Sequence, residues 1–295
     1  MVKGLPAGWG TCSCTVKLDS RPLALTCWKD TTAVSVQSGD IILLNTITGS
    51  QMAVLSGHTN QVGSLTFLPD RTSLVSGSDG GTLNLWDIQT CGIIRTFSGH
   101  TGCICSVSIS ADCTTIALGS EDKTVCLWDI QTGNCNYIIR EHDQVDQVVF
   151  SPTDPQYLMA TCQGFTQKWG TNGSRIGVIY NASHTAFSSD GTHFVLCVGK
   201  VAVVQNSVSG AIKAMCPPDN NDSDEDFKCS CFSPDGGLIA IIGGVIIYIW
   251  DITGLYPCLV KTLIGHTGHV TSITFSPPSS QYLMTNQSSS GRTQL

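Results

Sequence analysis

Seven histidines and fifteen cysteines are the residues of this 295-residue chain best suited to acid–base or metal chemistry, and their spacing decides whether either is built. Gly-His recurs in step at Gly57-His58, Gly99-His100 and Gly265-His266, with Glu141-His142 as a variant. An imidazole titrates nearest neutrality and is the usual general base. A histidine that recurs in one turn context, however, reads first as a structural part. Cys-x-Cys pairs at 12/14, 103/105 and 229/231, and the His266/His269 pair, carry the residue types that hold zinc. No Cys-x-x-Cys accompanies them, and Cys-x-Cys on a strand merely places two small side chains on one sheet face. No metal site and no cofactor are expected.

Other chemical signatures fail on inspection. Gly199-Lys200 is followed by Val201, with Phe194 where a phosphate-binding loop needs its first glycine. Neither Gly-x-Ser-x-Gly nor His-Glu-x-x-His occurs. Arg140, Glu141, His142 and Asp143 stand together, but in the position of a Gly-His turn. The concentrated charge lies elsewhere, in residues 217–226, where Asp219, Asp222, Asp224, Glu225 and Asp226 fall within one insertion. A calcium loop is ruled out there, because the twelfth position from Asp219 is Ser230 and no central glycine exists. The run reads as a solvated loop, or more sharply as an acidic docking surface for a basic partner. Ser223, followed by Asp224-Glu225-Asp226, would suit an acid-directed kinase.

The elements that must position these residues follow from composition and repetition. With 41% hydrophobic and 13% charged residues the chain is too apolar for disorder and implies a large interior. A formal charge of −7, five of it in the acidic run, argues against nucleic-acid binding, which needs a basic face. The first ten residues hold no apolar stretch of the kind a secretory signal requires, so a cytoplasmic or nuclear protein with free thiols is expected. The longest apolar run, Leu238 to Trp250, is split by Gly243-Gly244 and suits two strands and a tight turn; no membrane insertion is expected.

A turn signature recurs at Trp28, Phe67, Ile109, Phe150, Phe187, Phe232 and Phe275, at spacings of 39, 42, 41, 37, 45 and 43 residues. In step with it run Trp-Asp at 86–87, 128–129 and 250–251, Trp-Gly at 169–170, and the degenerate Leu44-Asn45 and Gln205-Asn206. Between these landmarks lie short alternating strands, four to each period. One such sheet cannot bury both faces alone, so the units must stack radially.

Gly-His followed by Phe-Ser-Pro-Asp-Gly and closing on Trp-Asp resembles the WD-repeat family over nearly the whole chain, most closely the WD-repeat portions of large fungal proteins with a NACHT-type domain. The fold expected is all-β, a single seven-bladed β-propeller over residues 1–295. Its blades are expected near 22–56, 57–98, 99–140, 141–181, 182–216, 227–264 and 265–295, with an N-terminal strand at 12–18 completing the last. The polar third strand of that blade, 288–295, is expected to fray.

The resemblance implies a buried network of His, Ser or Thr, Asp and the Trp indole. The second blade offers His58, Ser76 and Trp86 but has Gly80 for the Asp; the third offers His100, Asp122 and Trp128 but has Leu118 for the hydroxyl. Blades four to six look poorer, so apolar packing should carry more of the stability. The function implied is a non-catalytic, monomeric scaffold or sensor presenting loops to proteins or peptides. The alternatives are a small-ligand receptor or propeller enzyme at the channel mouth, and a stand-alone fragment of a larger NACHT-type regulatory protein.

Overall fold

The computed structural model describes residues 15–70, 72–180, 182–217, 225–275, 283–287 and 292–294. They form an all-β propeller. Six blades each take four consecutive antiparallel strands, beginning at inner strands Pro22–Trp28, Val62–Phe67, Ile104–Ile109, Gln147–Phe150, His184–Phe187 and Phe227–Phe232. A further four-stranded sheet uses Val270–Phe275, Leu283–Gln287 and Arg292–Gln294, with Thr15–Lys17 paired antiparallel to the last of these in the register Val16↔Thr293. The apolar run at 238–250 becomes the strands Leu238–Gly243 and Ile246–Asp251 around a turn with Gly244 at φ +66°. Most of the segment expected to fray, residues 288–291 and 295, lies outside the described residues.

The core sits between blades rather than within them, because each sheet has two faces to cover. Ala33, Leu43, Leu65, Leu74 and Trp86 join blades one and two. Val75, Leu85, Val107, Leu118 and Trp128 join two and three. Val204, Phe227, Ile241 and Trp250 join five and six. Each fully buried aliphatic side chain contributes roughly 1.5–3 kcal/mol relative to exposure. Between blades four and five, Met159, Ala182, Phe194 and Leu196 are the buried members among the described residues.

In all six blades the ladder between third and outer strands breaks register at one equivalent place, just before the Trp position, as at Leu85/Trp86 and Ile249/Trp250. Such bulges add twist, which a radially stacked sheet needs. The Asp of Trp-Asp caps the turn that follows: Asp87 Oδ1 accepts the Thr90 N–H at 2.7 Å and Asp129 Oδ1 that of Thr132 at 2.6 Å. Asn45 and Asn206 do the same with Thr48 and Ser209, both at 2.8 Å.

Candidate partner-binding face and its supporting network

Antiparallel order puts the turns between second and third strands, and the links between blades, at one face of the ring. The Gly-His turns, Asp79, Glu121, Asp122 and residues 141–146 all lie there. The glycine is required by close approach: a Cβ on Gly57 would stand 3.1 Å from Trp86 Cη2, and one on Gly99 3.0 Å from Trp128 Cζ2. Gly265, in the sheet without such a Trp, has open space around it.

In the second blade the expected residues meet. Trp86 donates its indole N–H to Ser76 Oγ at 2.7 Å, and His58 Nε2 lies 2.6 Å from the same oxygen. Burial lowers the His58 pKa, against the contact with Ser76. In the third blade His100 Nδ1 lies 2.8 Å from Asp122 Oδ2. Burial would raise the Asp122 pKa, but hydrogen bonds from Thr124, His100 and the Thr101 N–H hold it below the usual range. Trp128 is not brought into this set: its indole N–H is buried without an acceptor, because Leu118 replaces the hydroxyl.

The fourth blade was expected to be poor in polar contacts, and the structure corrects this. Glu141 stands at the Gly position of the Gly-His pair, and its carboxylate accepts the Trp169 indole N–H at 2.6 Å and Gln167 Nε2 at 2.7 Å. Its side chain is almost fully buried, which raises its pKa despite the hydrogen bond from Trp169. The group 140–143 is thus a variant of the structural turn. The signal was present in the sequence: an acid in place of the glycine that elsewhere packs against the Trp.

Sequence reasoning also missed the polar girdle around the channel, carried at alternate positions of the inner strands. Ser64 Oγ accepts the Val107 N–H at 3.0 Å, Ser106 Oγ that of Val148 at 3.1 Å, and Gln147 Oε1 that of Thr185 at 2.8 Å. Gln147 Nε2 donates to the Thr185 carbonyl at 2.9 Å, which orients the amide, and the same nitrogen lies 2.9 Å from His184 Nε2. That ring nitrogen therefore accepts, and the proton sits on Nδ1, facing Ser230 Oγ at 3.3 Å. Burial drives the His184 pKa down to about 4. Cys229 Sγ lies 3.6 Å from His184 Nε2, and burial pushes that thiol up to about 11.

On the face of the Gly-His turns stand three exposed carboxylates from successive blades. Cys105, on the third inner strand, has its thiol pushed up to about 12 by burial first and then by the charges of Glu121 and Asp146, with Asp79 adding to them. Burial, and then the charge of Glu121, raises the pKa of Asp79 itself. Farther round, Glu225 Oε2 lies 3.2 Å from His269 Nδ1. Asp226 faces the turn at Gly199. Asp219, Asp222, Ser223 and Asp224 lie outside the described residues.

Among the described residues no group of three or more His, Cys, Asp and Glu converges as a metal site would, and no helix is long and apolar enough to cross a membrane. The family model described as WD domain, G-beta repeat matches residues 49–87, 91–129 and 257–292. Each of the first two matches begins ahead of the outer strand of one blade and ends on the third strand of the next, so the repeat is staggered against the sheet and links neighbouring blades. These matches, set in an all-β propeller of four-stranded sheets, support a WD-repeat family for this chain.

Proposed function

We propose that this protein is a non-catalytic interaction module that holds a basic protein segment across the face bearing the Gly-His turns. The observation that carries this reading is that three successive blades place the exposed acids Asp79, Glu121 and Asp146 on one face, where their charges act together on Cys105. An exposed acidic face favours a cationic partner over an anionic one and steers its approach. Glu225 and Asp226 extend the acidic surface, and the loop from Asp219 to Asp224 would continue it, with phosphorylation at Ser223 strengthening the field.

The reading includes a monomeric ring of seven blades, closed where the N-terminal strand completes the last sheet, for which the pairing of Thr15–Lys17 with Arg292–Gln294 is the support. It also takes the protein to work in the cytoplasm or nucleus without nucleic acid, and extends the family likeness to the sensing part of fungal NACHT-type proteins. Against an enzyme at the channel stands the Cys229–His184 pair, the arrangement nearest to a nucleophile and base. Burial drives the thiol to about 11 and the imidazole to about 4, so both stay neutral and the thiolate that would attack is suppressed.

A fluorescent peptide rich in Lys and Arg is the direct probe. Its affinity for the full chain should fall at least tenfold when Asp79→Asn, Glu121→Gln and Asp146→Asn are combined, and should weaken with salt. Unchanged affinity in the triple variant overturns the reading. Recovery of co-purifying proteins with the wild-type chain and with its acidic loop neutralised would then identify the natural partner.

A further inference from the structure

The residue just before the Trp position, marked in every blade by the same register shift, is a buried aliphatic in five of the six: Leu43, Leu85, Leu127, Val204 and Ile249, none more than 5% exposed. In the fourth blade it is Lys168. The next residue but one departs as well: where other blades carry Asn45, Asp87, Asp129, Asn206 and Asp251, the fourth has Gly170. One exchange adds a cation to an interface between blades, and the other removes a carboxylate or amide beside it.

Both residues line a cleft of about 700 Å³ between blades four and five, on the face opposite the Gly-His turns. Lys168 lines it, half-buried, with Nζ 3.7 Å from the centre of the Tyr157 ring. It pairs with no carboxylate among the described residues. Asp154 also lines the cleft, but its Oδ1 accepts the Gln156 N–H at 2.9 Å, as Asp70 Oδ1 accepts that of Thr72 in the second blade at the same distance. Thr153, Thr171 and Asn172 add hydroxyl and amide donors to the wall. A cation set into a hydrogen-bonding recess, over an aromatic ring and paired with no acid among the described residues, is the arrangement that recognises an oxyanion.

We infer that this cleft binds a carboxylate or phosphate group through Lys168, independently of the acidic face. The group could arrive as a free small anion or as a side chain of a bound peptide, and the shared chemistry is the same. The full chain, labelled with ¹⁵N, is titrated with inorganic phosphate, with acetate, and with a blocked peptide containing one glutamate. Saturable shifts at Lys168, Thr171, Asn172 and Ser207 are expected. Lys168→Leu, which restores the residue type of the other blades and so puts folding at little risk, should weaken binding at least tenfold, while Lys168→Arg retains it. Gly170→Asp should also weaken it by returning a like charge to the site.

Tighter binding of the peptide than of acetate would mean that the anion comes on a partner chain, and equal binding that it is a free small anion; both support the site. Absence of saturable shifts with all three probes, or the same affinity in Lys168→Leu, overturns it.

Discussion

Trp169 donates its indole N–H to Glu141 at 2.6 Å, the contact that Trp86 makes with Ser76 in the second blade and that Trp128 lacks in the third. The same buried donor has thus met three fates in one ring, according to which residue stands within reach. Glu141→Ala would orphan both Trp169 and Gln167 and is expected to cost about 2–3 kcal/mol by urea denaturation. Glu141→Gln, which keeps one acceptor and removes the buried charge, should cost less than half as much; equal losses would show that the hydrogen bonds are not the stabilising element.

Replacing Ser76 by Ala leaves the Trp86 indole and His58 Nε2 without their shared oxygen, and about 1–3 kcal/mol of stability should go with it. The third blade provides the reciprocal case. Leu118→Ser and Leu118→Ala both give up buried apolar area, but only the serine offers Trp128 an acceptor, so it should be the more stable of the two by about 1 kcal/mol. Thermal melts of the pair decide this, and an inverted order would contradict the geometry.

His184 makes stability depend on pH. Its imidazole titrates at about 4 in the folded protein against an ordinary 6.5, so between those values the unfolded chain binds a proton that the native state does not. Stability from this residue is complete above pH 6.5 and is lost as pH falls toward 4, by up to about 3 kcal/mol. Glu141, whose pKa is raised, works in the opposite sense at the acid end. The measurement is therefore a difference: the slope of urea midpoint against pH should be shallower in His184→Gln than in the wild type, and parallel slopes would remove His184 as the cause.

Thiol labelling should follow exposure. Cys258 is exposed, whereas Cys162, Cys197 and Cys216 are fully buried with their thiols pushed up to about 12 by burial. Under native conditions iodoacetamide should modify Cys258 well before these three, which should react only on unfolding. Mass spectrometry of timed samples would reveal any early labelling of Cys197, and with it a seam between blades five and six that opens more readily than its packing implies.

The repeat was legible in the sequence because period and patterning are local. An apolar turn residue, a Gly-His and a Trp-Asp recurring in step are enough to require four-stranded sheets stacked in a ring, and His58, Ser76 and Trp86 could be named as a set from their spacing alone. The failure of Trp128 to join its set was equally visible in Leu118. What the tertiary structure decided are the contacts between blades, which join residues some forty positions apart and have no local signature. His184 bridges Gln147 to Ser230, and the charges of acids from three blades act together on Cys105, because radial stacking brings equivalent positions of successive repeats within hydrogen-bond or Coulomb range. Lys168 shows the division plainly. Its letter departs from the repeat in the sequence, but only the packed ring places that departure at an interface between blades, where it lines a cleft.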